Sequence, residues 1–149
     1  MITIPIAIIM AALAGLALVS GRRFGLLGLG IAAGTLLAGQ AVSWVEELFA
    51  PLTDYLGGVS AAQAAVILLV LAPSLVLMFV GPKYINLKGR ILGAILYTAM
   101  AGFAILPFVL GSIDIPSEAK NLITTFHVSA IAVGIAVAVI DLFISNYKK

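Results

Sequence analysis

Two side chains able to carry acid–base chemistry lie within long apolar stretches of this 149-residue sequence: the single histidine, His127, and Asp141. They are fourteen residues apart, roughly 21 Å along a helix that rises about 1.5 Å per residue, so a direct His–Asp pair is excluded. An ionisable group inside a membrane is costly, and if these stretches cross one, each residue invites a functional interpretation. For Asp141 the two interpretations are a proton or cation relay and a structural ion pair with Arg22, Arg23 or Arg90.

His127 has its own alternatives. Its simplest role, near one end of an apolar stretch, is that of an interfacial or interhelical hydrogen-bond donor. Gln40, Ser43 and Gln63 are expected at a similar depth, and together with His127 they form a candidate polar cluster for a small solute or ion. A metal site built from His127 with Glu118 or Asp114 is a further alternative.

The rest of the sequence carries no catalytic constellation. It has no cysteine, which excludes disulfides, thiolate chemistry, iron–sulfur clusters and cysteine-ligated zinc. It also lacks a serine nucleophile elbow, a phosphate-binding loop and a zinc-protease helix motif. No basic stripe with interleaved aromatic residues supports nucleic-acid binding. We therefore predict no enzymatic activity, no catalytic residue, no cofactor, no metal and no nucleic-acid partner.

The composition indicates which elements must position these side chains. Apolar residues make up 63% of the chain, and only eight Lys and Arg and six Asp and Glu are present, with a mean hydropathy of +1.25. Soluble domains have about a quarter of their residues charged, so a soluble enzyme is excluded. A bilayer core of about 30 Å needs roughly 20 helical residues, and five uncharged stretches are that long. The sequence predicts an all-α, polytopic transmembrane helix bundle embedded in the lipid bilayer, a single integral membrane domain over residues 1 to 149, with five spans at about residues 3–20, 24–45, 60–80, 91–110 and 122–145.

The charges segregate in a way that predicts the orientation of these spans. With five spans, the first linker, the third linker and the C-terminal tail share one side of the membrane, and that side carries seven of the eight positive residues. Five of the six acids lie on the opposite side. Because cytoplasmic loops are enriched in Lys and Arg, we expect the N-terminus outside and the C-terminus inside, in a multi-pass protein of the cytoplasmic (inner) membrane. The first positive residues follow the first apolar stretch, which favours a retained span over a cleaved signal peptide.

Small residues predict how the spans pack. Gly30 and Gly34 form a GxxxG pair in the second span, and Gly89 and Gly93 form another at the start of the fourth. Such pairs allow close backbone approach, so these two spans are the predicted centre of the bundle, although glycine is also simply common in membrane helices. Pro73, in the middle of the third span, predicts a bend that acts either as a fixed kink or as a hinge.

The order of these features resembles a known family. A short first span, a basic turn at residues 21 to 25 (GRRFG), a glycine-rich second span, a third span and a turn at residues 88 to 94 (KGRILGA) lead into a small-residue-rich fourth span. Over about residues 1 to 110 the chain resembles the colicin V production (CvpA) family of bacterial inner-membrane proteins.

This resemblance implies a protein tied to toxin export and envelope maintenance, with no established enzymatic activity. The resemblance implies that Arg90 is a structural anchor and that either Arg22 or Arg23 is another. It implies no other site residue. Two acidic positions typical of the family differ: Gly89 precedes Arg90 in the fourth-span turn, and the first nine residues contain no acid.

The predicted function is therefore action in export or envelope homeostasis, without catalysis and through partners, either as a homo-oligomer or within a larger membrane complex. One alternative is an accessory or structural subunit of such a complex. Another is a channel or transporter, which would require an oligomer because five helices with so few polar faces cannot line a wide pore alone. No inverted repeat with paired broken helices is visible in the sequence.

Overall fold

The computed structural model describes residues 3 to 49, 61 to 110 and 117 to 146, and within these ranges every regular element is an α-helix. Their bounds are α1 Thr3–Ser20, α2 Phe24–Phe49, α3 Ala61–Leu77, α4 Leu87–Leu110 and α5 Ser117–Asn146.

Three of these helices contain segments long and apolar enough to cross a membrane: Phe24–Val45 in α2, Leu87–Val109 in α4 and Asn121–Ile144 in α5. The other two carry shorter apolar segments, Ala7–Ser20 in α1 and Ala61–Leu77 in α3. The predictions of an all-helical chain and of a membrane-type helix bundle are thereby confirmed at this level.

The helix boundaries differ from the predicted spans at several ends. α2 continues past residue 45 to Phe49, α3 ends at Leu77 instead of residue 80, and α4 begins at Leu87, so that part of the predicted basic linker is its first helical turn. α5 begins at Ser117, five residues before the predicted span. The absence of charge marks the part of a helix suited to a bilayer, whereas the backbone continues helical into charged turns that face water. The sequence also predicts a helix-capping box that begins at Ser60 and an interfacial segment at residues 48 to 59, and Ser60 and most of that segment lie outside the described residues.

The centre of the bundle consists of α2 and α4. α4 packs against each of the other four helices, and α2 packs against α3, α4 and α5. Among the described residues, α1 contacts α4 and no other helix. Tyr97 of α4 and Ile31 of α2 are fully buried. The central position of α2 and α4 agrees with the prediction from the sequence.

Gly30 and Gly34 of α2 face α3. A Cβ atom added at Gly30 would lie 2.8 Å from the Cα of Ser74, and one added at Gly34 would overlap the carbonyl oxygen of Val70. Real Cβ atoms do not come this close to backbone atoms, so the absence of a side chain at both positions is what allows α2 and α3 to approach. Hydropathy and glycine spacing identify a close-packing face, but they do not identify the helix that it contacts.

A second glycine face of α2 contacts α5. A Cβ at Gly25 would lie 2.5 Å from the carbonyl oxygen of Ala138, and one at Gly28 would lie 3.1 Å from the Ala138 Cβ. Ala138 is fully buried, whereas the residues that flank it in α5 are half-buried or exposed. The close α2–α5 contact at this point depends on three small residues.

The helix α3 continues through Pro73, and the next residue anchors it to α4. Ser74 is fully buried, and its Oγ donates a hydrogen bond to the Leu71 carbonyl at 2.8 Å. Its Oγ also lies 3.0 Å from the Tyr97 hydroxyl, which acts as donor because the serine proton is already used. Buried polar groups need such partners, so this pair ties α3 to α4 just after the proline.

Candidate functional site at the paired turns

The α1–α2 turn and the α3–α4 turn lie side by side and are joined by backbone hydrogen bonds. The Tyr84 N–H donates to the Gly21 carbonyl at 2.8 Å, and the Arg23 N–H donates to the Pro82 carbonyl at 3.2 Å, forming a short antiparallel bridge. Gly21 has a φ of 58°, the left-handed conformation that commonly ends a helix and that glycine adopts without steric cost. Two turns far apart in the sequence thus form one unit.

Arg22 closes the C-terminal end of α3. Its Nε donates to the Met78 carbonyl at 3.0 Å, its Nη2 to the Phe79 carbonyl at 2.7 Å, and its Nη1 to the Gly81 carbonyl. These three residues follow Leu77, the last residue of α3, and a cation just beyond the C-terminus of a helix interacts favourably with the helix dipole. The planar guanidinium, with its five N–H donors, can satisfy several carbonyls at once.

Arg90 performs the matching role for α1. Its Nη2 donates to the Leu18 carbonyl at 2.7 Å and to the Val19 carbonyl at 3.3 Å. A Cβ at Gly21 would lie 2.7 Å from the Arg90 Nε, which is enclosed and has no hydrogen-bond partner within the described chain. Arg22, in the α1–α2 turn, thus binds carbonyls at the end of α3. Arg90, which follows the α3–α4 turn, binds carbonyls at the end of α1.

Asp141, a residue of α5, lies in space beside the first residues of α2. Its Oδ2 accepts a hydrogen bond from the Gly25 N–H at 2.9 Å, and its Oδ1 accepts one from the Tyr84 hydroxyl at 3.1 Å. The same hydroxyl oxygen accepts the Phe24 N–H at 3.1 Å. A carboxylate suits the positive end of a helix dipole, so Asp141 of α5 acts as an N-terminal cap for α2.

The predicted ion pair between Asp141 and an arginine is therefore wrong. Over the residues that the structure describes, no basic side chain pairs with it, and its partners are an amide and a phenol. Arg22 and Arg90 donate to helix carbonyls, and the Arg23 guanidinium lies 5.5 Å from the centre of the Tyr84 ring, within cation–π range. Backbone carbonyls at helix ends compete with carboxylates for the arginine N–H groups. A prediction that considers only charged side chains leaves these carbonyls out.

Tyr84 connects these parts, although it was not among the predicted site residues. Burial raises the pKa of the Tyr84 phenol, the Phe24 amide opposes this, and the negative charge of Asp141 raises it further, so at neutral pH the phenol is protonated and donates. Its ring packs on α4, where a Cβ at Gly89 would lie 2.9 Å from the ring and one at Gly93 would lie 2.5 Å from it. These two glycines, expected to serve helix packing, instead make room for an aromatic ring. The available signal was an aromatic residue just before two glycines spaced four apart.

The residues of the predicted polar cluster around His127 differ in burial. Gln40 and Ser43 are exposed, His127 and Gln63 are half-buried, and within the described chain no hydrogen bond joins His127 to Gln40. The His127 Nε2 is enclosed without a partner in that part of the chain. Across the same residues, no group of three or more potential metal ligands comes together.

The arrangement at the paired turns links all five described helices by hydrogen bonds: Arg90 of α4 binds the end of α1, Arg22 binds the turn after α3, and Asp141 of α5 binds the start of α2. We call the residues Arg22, Tyr84, Arg90 and Asp141, with their hydrogen-bond partners, the turn lock. Comparison with known proteins adds no relative, because no family model, curated protein or solved structure matches the chain. The chemistry that the turn lock itself performs is the mutual capping of helix ends.

Proposed function

We propose that this chain is a five-span, multi-pass protein of the cytoplasmic membrane with its N-terminus outside and its C-terminus inside. The observation that carries the proposal is the turn lock, because a five-span topology requires the first linker, the third linker and the end of α5 to share one side. Those three segments hydrogen-bond to one another. α1 and α3, with 18 and 17 residues, are about 27 and 26 Å long, close to the thickness of a thin bilayer core.

Within that membrane, we propose a role in export or envelope homeostasis that proceeds through partners and without catalysis, as the resemblance to the colicin V production family implies. Support comes from where the two resembling stretches lie. Residues 21 to 25 contribute Gly21, Arg22 and the Gly25 amide to the turn lock, and residues 88 to 94 contribute Arg90 and the two glycines under the Tyr84 ring. Both stretches thus contribute residues to the same hydrogen-bonded unit at the paired turns.

A pore through a single copy is not favoured. Among the described residues, Ser74 is the one buried polar or charged residue, and its hydroxyl is bonded to Leu71 and Tyr97. The remaining described core is made of apolar side chains and the Tyr97 ring. Conduction would therefore have to occur between copies in an oligomer, which leaves partner binding as the leading role and an accessory subunit as the alternative.

Export is tested in a bacterial host from which this chain has been deleted. We expect the deletion to lower the secreted amount of a small peptide toxin and to sensitise the cells to envelope stress, and we expect the wild-type chain to restore both. Glu47→Gln, which alters an exposed acid at the other end of α2, serves as the control and should restore them equally. Unchanged secretion and unchanged stress resistance in the deletion strain would contradict the proposal.

The alternatives are separated by the mass of the protein purified in mild detergent. Larger subunits that co-purify in fixed proportion would favour the accessory role. A homogeneous homo-oligomer that conducts ions in liposomes would favour the channel.

A further inference from the structure

Three cations at the paired turns remain without an anionic partner. Arg22 and Arg90 use their guanidinium groups on helix carbonyls. Arg23 contacts the Tyr84 ring, and Lys83 and Lys88 are exposed; within the described part of the chain none of these three pairs with an acid. Residues 78 to 90 contain no Asp or Glu, and Asp141 of α5 brings a single negative charge beside Tyr84, so positive charges outnumber negative ones at the paired turns. We name Arg23, Lys83 and Lys88 the basic turn surface.

Apolar side chains surround this surface. Four residues of the α3–α4 turn and its flanks are strongly exposed, at 83% for Phe79, 65% for Val80, 96% for Ile85 and 67% for Leu87. A surface that alternates exposed aliphatic groups with lysines is unsuited to water, but it matches the headgroup region of a bilayer, where apolar groups reach the acyl chains and lysines reach the phosphates.

We propose that the basic turn surface binds the phosphate groups of anionic phospholipids, of the phosphatidylglycerol class, in the leaflet on that side of the membrane. The inference rests on the proposed membrane-spanning function, since it needs this end of the bundle at headgroup depth. Arg23 is held in place by its contact with Tyr84, at 5.5 Å from the ring centre, so it loses little freedom when it meets a phosphate. The exposed apolar flank favours a lipid over an acidic soluble protein, which would leave Phe79 and Ile85 in water.

The size of the effect follows from membrane electrostatics. Each lysine close to an anionic surface contributes roughly a fivefold increase in affinity, so two lysines together contribute on the order of 25-fold. The contribution falls as salt concentration rises, because exposed charges are screened over about 10 Å at 0.1 M ionic strength.

The experiment is native mass spectrometry of the purified full-length chain in mild detergent, with phosphatidylglycerol or phosphatidylcholine of identical acyl chains added. We expect phosphatidylglycerol adducts to exceed phosphatidylcholine adducts at least tenfold at equal lipid concentration. Lys83→Gln and Lys88→Gln should each lower phosphatidylglycerol occupancy about fivefold, and the double variant about 25-fold. Lys120→Gln removes one positive charge from the predicted opposite side and should leave the occupancy unchanged.

Three results would overturn the inference. The first is equal occupancy by the two lipids, and the second is an equal loss in Lys120→Gln and in the turn variants. The third is loss of phosphatidylglycerol adducts when inorganic phosphate is added at the same concentration as the lipid, which would mean a site for a free anion. Because Lys83 and Lys88 are exposed, the variants should keep the wild-type melting temperature, and this measurement verifies that they fold. Lipid adducts form in detergent whatever the membrane topology of the chain. If phosphatidylglycerol adducts are absent while cysteine labelling supports five spans, the lipid-binding inference is rejected and the proposed topology is not.

Discussion

Replacing Asp141 by alanine removes the acceptor for two donors at the start of α2, the Gly25 N–H and the Tyr84 O–H. Both sites are partly buried, and a donor left without a partner in such a place costs about 1–3 kcal/mol. The carboxylate also loses its favourable position at the helix dipole, worth about 0.3–1 kcal/mol. We therefore expect Asp141→Ala to lower the free energy of unfolding by about 2–4 kcal/mol. Asp141→Asn keeps one carbonyl acceptor and should lower it by about 1–2 kcal/mol.

The assay is equilibrium unfolding of the purified chain in mixed detergent micelles, followed by circular dichroism as the denaturing detergent fraction rises. The matched control is Glu47→Ala, which removes an exposed carboxylate from the last turn of α2. Surface changes of this kind usually stay within about 0.5 kcal/mol. The comparison separates the loss of the cap from a general effect of removing one negative charge.

A double-mutant cycle with Tyr84→Phe tests the reasoning itself. Removing the Tyr84 hydroxyl leaves the Phe24 N–H and one Asp141 oxygen without their partner, so the two residues should be coupled by about 0.5–3 kcal/mol. Additive losses, or a loss in Asp141→Ala no larger than in Glu47→Ala, would refute the account of Asp141 as the cap of α2.

Three further changes test other contacts. Gly34→Ala should destabilise the bundle because the added Cβ would overlap the Val70 carbonyl. Gly39→Ala on the same helix meets open space and should stabilise the bundle by about 0.5–1 kcal/mol. Melting temperatures would reveal the difference, and equal effects of the two changes would contradict the close α2–α3 contact. Ser74→Ala should lower the free energy of unfolding by about 1–3 kcal/mol, because it leaves the buried Tyr97 hydroxyl unpaired. The same change should lower it less in the Tyr97→Phe variant, which lacks that hydroxyl, and an equal loss in both proteins would contradict the pairing. Arg22→Lys should lower stability by about 1–2 kcal/mol, because an ammonium group cannot reach three carbonyls as a guanidinium does, and wild-type stability would contradict its capping role.

The helices were largely predictable from the sequence, and the reason is physical. Long stretches without charge determine where apolar helices lie, and α1 has the predicted bounds of residues 3 to 20. The ends of α2 and α4 were not predictable from charge, since the backbone remains helical through exposed charged residues such as Glu47 and Lys88.

The contacts at the site were less predictable. Asp141 stands out in the sequence as a charge within an apolar stretch. Its partners, an amide and the Tyr84 phenol, do not stand out, because backbone donors at helix ends do not appear in a list of charged residues. The same reason explains Arg22 and Arg90, whose carbonyl partners are invisible in the sequence. Gly89 and Gly93 form a small-residue pattern whose occupant, an aromatic ring from a turn, has no periodic signal.

The most direct test of the five-span arrangement uses the fact that the chain has no cysteine, so that single cysteines can be introduced as probes. Cysteine is placed in turn at Glu47, Lys88, Lys120 and Lys149, and intact spheroplasts are treated with a membrane-impermeant maleimide. We predict that positions 47 and 120 are labelled in intact spheroplasts, and that positions 88 and 149 are labelled only after the membrane is permeabilised. Labelling of position 88 from outside, or of positions 47 and 88 from the same side, would contradict the account.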